Sequence, residues 1–133
     1  MARILVAEDD DGVRHLVSRA LRLEGHDVVA CEDGEIAFER LQAEGGNAFD
    51  LVLSDIRMPS MTGIELAHAV SAEWPALPIL LMTGYAEQRE AAEDLARVIV
   101  GVVDKPFTVA AIRVEVAKAL TSGYGEPELR YAS

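Results

Sequence analysis

Apolar residues follow two rhythms along this chain. Five short runs are nearly continuous, at residues 4–7, 27–31, 51–54, 79–82 and 99–103. Runs of this length, bounded by polar and turn residues, predict strands buried on both faces. Between them apolar positions return every three or four residues: Val13, Leu16, Val17, Ala20 and Leu21; Ile36, Ala37 and Leu41; Leu66, Ala67 and Val70; Ile112, Val116, Ala119 and Leu120. That spacing predicts helices, the third over residues 63–73 and the last over 109–120. A polar, alanine-rich segment at 86–95 adds a short helix between the fourth and fifth strands. Gly25 and Gly45-Gly46 stop the first two helices, Asp33-Gly34 opens the second, and Pro75 and Pro78 close the third.

Strands that alternate with helices in this way build a parallel sheet, because parallel neighbours need crossovers of helical length. The predicted fold is α/β: one doubly wound (βα)5 domain over residues 1–121, with helices on both faces of a five-stranded sheet. Residues 122–133 lack periodicity and carry Gly and Pro. They read as a short mobile tail or a partner-binding arm, too short to fold as an output domain.

Composition narrows the function classes. At 133 residues, half of them apolar, the chain can bury a core without disulfides or structural metals. The lone Cys31 excludes an internal disulfide and suits core packing in a reducing cytoplasm. No apolar run approaches the roughly 20 residues that span a bilayer, so no membrane insertion is expected. A net charge of −11 opposes binding to nucleic acid or anionic lipid and favours a cation or a basic protein partner.

The candidate chemistry lies just past the strands, where a parallel sheet gathers residues distant in sequence along one edge. Glu8 and Asp9 follow the first strand, Asp55 the third, Thr83 the fourth and Lys105 the fifth. Each also has a plain structural reading. Glu8 to Asp11 can be helix-capping and first-turn acids, Asp55 and Thr83 turn residues, and Lys105 a solvated lysine. His15, His26 and His68 share no ligand spacing, and Trp74 reads as a packing residue.

The joint occurrence is more informative than its members. Two carboxylates about 5 Å apart repel by roughly 3 kcal/mol at an effective dielectric near 20, so three acids and one lysine call for a further cation. An all-oxygen donor set suits Mg²⁺, which takes one or two protein carboxylates and leaves room for phosphate oxygens. A nucleophilic carboxylate, a cation, a hydroxyl and an ammonium around one point fit phosphoryl transfer onto Asp55.

Glu8-Asp9, Ser54-Asp55-Ile56-Arg57-Met58-Pro59 with Gly63, Met82-Thr83-Gly84 and Asp104-Lys105-Pro106-Phe107, in this order and spacing, resemble the receiver domain of two-component response regulators. The resemblance covers residues 3 to 121 and implies the strand order 2-1-3-4-5. It implies that Asp55 accepts a phosphoryl group from the phosphohistidine of a histidine kinase or phosphotransfer protein. Mg²⁺ would be held by Asp9, Asp55 and the Arg57 carbonyl, with Glu8 acting through water, while Thr83 and Lys105 bind phosphoryl oxygens. The Lys105–Pro106 peptide would be cis. Such a protein works as a bacterial, cytoplasmic switch rather than an enzyme, catalysing only its own phosphorylation and dephosphorylation. It would be a monomer or weak dimer, stand-alone on its short tail. Its target would read the face made by the segment after the fourth strand, the fifth strand and the last helix.

One position departs from the family pattern. The aromatic residue common three places before the lysine is replaced by Val102, which leaves Tyr85 as a candidate mobile aromatic. Arg57 and Tyr85 stand where receivers tune phosphoryl lifetime. The Met82-Thr83-Gly84-Tyr85 segment with Val102 is also similar to single-domain adaptors of regulated proteolysis in alphaproteobacteria, and a phosphorelay shuttle is a further option. From the enzyme class, a Mg²⁺-dependent phosphohydrolase of the haloacid-dehalogenase type needs a second acid where Arg57 stands. A flavin module needs a phosphate loop after the first strand, where acids stand instead.

Overall fold

The computed structural model describes residues 2–84, 95 and 97–122. Five parallel strands, β1 (Arg3–Ala7), β2 (Asp27–Cys31), β3 (Leu51–Asp55), β4 (Ile79–Thr83) and β5 (Gly101–Asp104), lie in the order β2-β1-β3-β4-β5. Four helices are described: α1 (Asp11–Leu23), α2 (Gly34–Glu44), α3 (Gly63–Glu73) and α4 (Val109–Ser122). The helix expected over residues 86–95, Tyr85 and the tail beyond 122 fall almost wholly outside the described residues.

Alternation along the strands divides the interior in two. Leu5, Val52, Ile79 and Leu81 join Ala37, Leu41, Leu66, Ala67 and Val70 in a core under α2 and α3. Ile4, Val6, Leu51, Leu53, Leu80, Met82 and Val103 join Val17, Leu21, Ile112 and Val116 under α1 and α4. Both faces of the sheet are therefore covered, which is why the strands read as continuous apolar runs.

The helix boundaries follow local chemistry. Asp10 caps α1 by accepting from the Val13 amide at 2.9 Å, and Asp33 caps α2 from Ile36 at 2.9 Å. Thr62 and Glu65 form a reciprocal capping box at the start of α3. Gly25 and Gly45 adopt φ of 95° and 88°, a left-handed region that glycine enters without steric cost. Trp74 ends α3 as a packing residue, its ring 5.9 Å from Phe38 and seated against Gly46.

Two sequence expectations are corrected, and one element comes unforeseen. Ile36 and Leu16 are 43% exposed rather than buried in their helical stripes. Their stripe neighbours Ala37 and Val17 are fully buried as expected, because each helix turns only part of its apolar stripe to the sheet. The fifth strand begins at Gly101, not at residue 99, because the amides of Val98 and Ile99 both turn back to the Leu95 carbonyl. A 3-10 turn (Gly46–Ala48) that periodicity did not reveal joins α2 to β3.

Candidate functional site

Register brings the acids together. Ala7 is level with Ser54, so the next residues, Glu8 and Asp55, emerge side by side at the carboxyl edge of the sheet. Thr83 is level with Asp104, and Lys105 follows directly, its amide bonded to the Thr83 carbonyl at 2.7 Å. Alternation also assigns faces: Glu8 continues the parity of Ile4 and Val6, Asp55 that of Leu51 and Leu53, and Lys105 that of Val103, all on the α1–α4 side. These side chains converge in a cleft of about 690 Å³ lined also by Asp9, Asp10, Val13, Leu16, Arg57, Gly84, Pro106 and Phe107.

Ligand oxygens of Glu8, Asp9 and Asp55 lie within 4.8 Å of one another. Lys105 Nζ donates to Glu8 Oε1 at 2.7 Å and stands 3.2 Å from Asp55 Oδ1. Glu8 Oε2 accepts from the Asp10 amide at 3.1 Å, so both Glu8 oxygens already have donors. Glu8 is wholly buried, Asp55 is 5% exposed and Asp9 is exposed. The residues fit a hard divalent cation: the donors are all oxygen, and with Glu8 engaged, Asp9 and Asp55 supply the one or two carboxylates that Mg²⁺ takes.

The electrostatics express this crowding. Burial pushes the Glu8 carboxyl up to about 7, against the pull of the Lys105 hydrogen bond. Burial also raises Asp55, with Lys105 acting the other way. Burial depresses the Lys105 ammonium, but its hydrogen bond to Glu8 and the charge of Asp55 more than reverse this and leave it above its ordinary value.

A pH dependence follows from Glu8. A carboxyl raised from 4.5 to about 7 on folding gives stability that is fully present below pH 4.5 and lost as pH rises to 7. The loss is about 3 kcal/mol. Asp55 acts in the same direction. His26, lowered by burial, opposes them near its ordinary value. Denaturant titrations in chelator from pH 4.5 to 8 should therefore show a smaller decline for Glu8→Gln than for the wild type, and parallel profiles would contradict the assignment.

The other sequence-predicted residues are placed differently. Arg57 is exposed on the cleft wall, and Lys105–Pro106 is cis. Thr83 is 2% exposed and does not line the cleft; it has the parity of Ile79 and Leu81 in the opposite core. Val102 is half-buried and packs against the α2–α3 core that includes Leu95 and Ile99. Cys31 is buried as expected, His15 and His68 are exposed, and His26 accepts a hydrogen bond from the Ala2 amide.

Sequence reasoning took Gly63 only as loop punctuation within the motif and missed Arg14 altogether. Gly63 opens α3 directly on the Asp55 carbonyl, where an added Cβ would lie 2.1 Å from the oxygen. Arg14 donates to the Glu8 carbonyl at 3.0 Å and pairs with Asp11 at 2.5 Å. The three-residue spacing from Asp11 to Arg14 was a legible sign of the helical ion pair but not of the carbonyl contact.

The chain is thus a doubly wound sheet that gathers three acids and a lysine at the carboxyl edge of its strands. Residues 4–117 match the family of the response regulator receiver domain, and the chain belongs to that family. It is 39% identical over 120 residues to the response regulator receiver protein CpdR of Brucella abortus, covering 90% of this chain and 98% of CpdR. It is 38% identical over 117 residues to the response regulator protein FleR of Pseudomonas aeruginosa, covering 88% of this chain but only 24% of FleR. Among solved structures, the chemotaxis response regulator CheY4 of Vibrio cholerae superposes with a TM-score of 0.79 at 28% identity, covering 90% of this chain and 98% of CheY4. The response regulator protein TrrA of Thermotoga maritima, in complex with Mg(2+)-BeF, gives 0.79 at 30% identity, covering 90% and 99%. Neither the phosphohydrolase nor the flavin reading is favoured. No described helix is long and apolar enough to cross a membrane.

Proposed function

We propose that Asp55 is the phosphoacceptor of a signalling switch, taking a phosphoryl group from the phosphohistidine of a histidine kinase or phosphotransfer protein. The observation that carries this reading is the convergence of Glu8, Asp9 and Asp55 within 4.8 Å, with Lys105 Nζ 3.2 Å from Asp55. An Asp55 oxygen forms a bond to phosphorus as the P–N bond breaks, and its electron pair returns to the imidazole nitrogen, which takes up a proton. Asp9, Asp55 and the Arg57 carbonyl, with Glu8 behind them, would hold Mg²⁺, which when bound would neutralise charge on the carboxylates and the incoming phosphoryl oxygens. Lys105 moves little to contact a phosphoryl oxygen, being already beside Asp55.

Thr83 must turn from the opposite face to add its hydroxyl, and its carbonyl carries the Lys105 amide, so that movement is felt at the lysine. This link offers a transmission route that does not require an aromatic residue at Val102. Arg57 and Pro106, which line the cleft, tune the lifetime of the phosphoryl group; Tyr85, the further candidate from the sequence, lies outside the described residues. The solved complex of TrrA with Mg(2+)-BeF supports the choice of Mg²⁺. The output is a protein contact on the side of β5 and α4; the segment after β4, which the sequence reading adds to that face, lies almost wholly outside the described residues. Incubation with Mg²⁺ and acetyl phosphate should add one phosphoryl group by mass spectrometry, and a chelator should prevent it. An unmodified mass despite Mg²⁺ would refute the assignment.

A further inference from the structure

We propose that Arg14 is a positioning residue for the acidic site, holding the Glu8–Asp9 turn so that the Asp9 carboxylate faces Asp55. This rests on the reading of that site given above. Among the described residues, the Asp9 carboxylate makes no hydrogen bond or ion pair of its own. It is exposed, yet its oxygen lies within 4.8 Å of those of Glu8 and Asp55. Its direction is therefore set by the backbone on either side of it.

Arg14 grips that backbone at both ends. Its Nη1 donates to the Glu8 carbonyl at 3.0 Å, and its own amide donates to the Asp10 carbonyl at 2.9 Å. The guanidinium is itself fixed, 19% exposed and paired with Asp11 at 2.5 Å. The other holds on the turn act on Glu8 from the sheet side, its amide on the Cys31 carbonyl at 3.1 Å and its side chain on Lys105 and the Asp10 amide, and on Asp10 from α1, whose Val13 amide donates to the Asp10 carboxylate at 2.9 Å. Arg14 is the side chain that reaches the turn from α1. Groups behind metal ligands that fix their orientation typically matter by 10–100-fold in metal affinity.

The sign of the effect separates positioning from charge. A guanidinium near an acidic site repels a second cation, so deleting its charge alone tightens Mg²⁺ binding. Loss of positioning weakens it. The test is a calorimetric titration of MgCl₂ into the full chain, together with hydrogen exchange at the Asp9 and Asp10 amides in chelator. Arg14→Met should bind Mg²⁺ about tenfold or more weakly. Arg14→Lys should recover part of the loss, and the two amides of Arg14→Met should exchange faster while those of β3 do not. Equal or tighter Mg²⁺ binding by Arg14→Met overturns the proposal. If the wild type binds no Mg²⁺, the reading of the site fails, and the exchange measurement still decides the positioning role: unchanged Asp9 and Asp10 exchange in Arg14→Met overturns it, and selective acceleration upholds it.

Discussion

Asp55→Asn should receive no phosphoryl group from acetyl phosphate and Mg²⁺, while remaining folded. The amide matches the carboxylate in shape, and the site is tightly enclosed, with Asp55 5% exposed at the end of β3. It carries no anionic oxygen to attack phosphorus, so labelling should fall to background. Stability should not fall with it. Burial already raises the Asp55 carboxyl, so replacing it with a neutral group removes an unfavourable charge, and the melting temperature in chelator at pH 8 should equal or exceed that of the wild type. Asp10→Asn is the matched control. Asp10 caps α1 by accepting from Val13, a role that asparagine fills equally well, so this variant should label normally. Labelling that persists in Asp55→Asn would move the acceptor elsewhere.

Gly63→Ala should be severely destabilising for a change of one methyl group. The new Cβ would sit 2.1 Å from the Asp55 carbonyl oxygen and 2.9 Å from both its carbonyl carbon and Ile56 Cα. All three are backbone atoms, so no side chain can swing aside. The Gly63 amide is also bonded to the Ile56 carbonyl at 2.8 Å, and the Ser54 hydroxyl to the Asp55 carbonyl at 2.8 Å, so relief requires α3 and the end of β3 to separate. Overpacking of this kind costs about 3 kcal/mol. Because Asp55 moves with its carbonyl, the labelling rate should drop as well, and a displacement near 1 Å can cost on the order of a hundredfold. Denaturant midpoints and labelling rates measured together would test this. A variant within about 0.5 kcal/mol of wild type would show that the contact is slack.

The Pro/Gly punctuation of the β3–α3 loop thus acquires a physical meaning. Pro59 and Gly63 read from the sequence as turn residues after an acid. In the fold, Gly63 is where helix and strand approach too closely for any side chain, and that approach fixes the height of Asp55 at the sheet edge. The pattern gave the residue type, but the contact distance depends on α3 packing Leu66, Ala67 and Val70 into the core.

The apolar rhythm alone determined the succession of strands and helices, and with it the parallel sheet and the acids and lysine that follow its strands. Those features are local: strand runs, helical spacing and capping residues act over a few positions. Only the tertiary structure decided what each of those residues does at the edge. Lys105 and Glu8 meet at 2.7 Å although 97 positions separate them, and that contact occupies one Glu8 oxygen beside Asp9 and Asp55. Strand parity sends Thr83 to the opposite core, helix rotation leaves Leu16 on the cleft wall, and Arg14 reaches a carbonyl that no spacing rule connects to it. Such contacts depend on register and on which helix covers which face, quantities set by the packing of the whole sheet rather than by any segment of the chain.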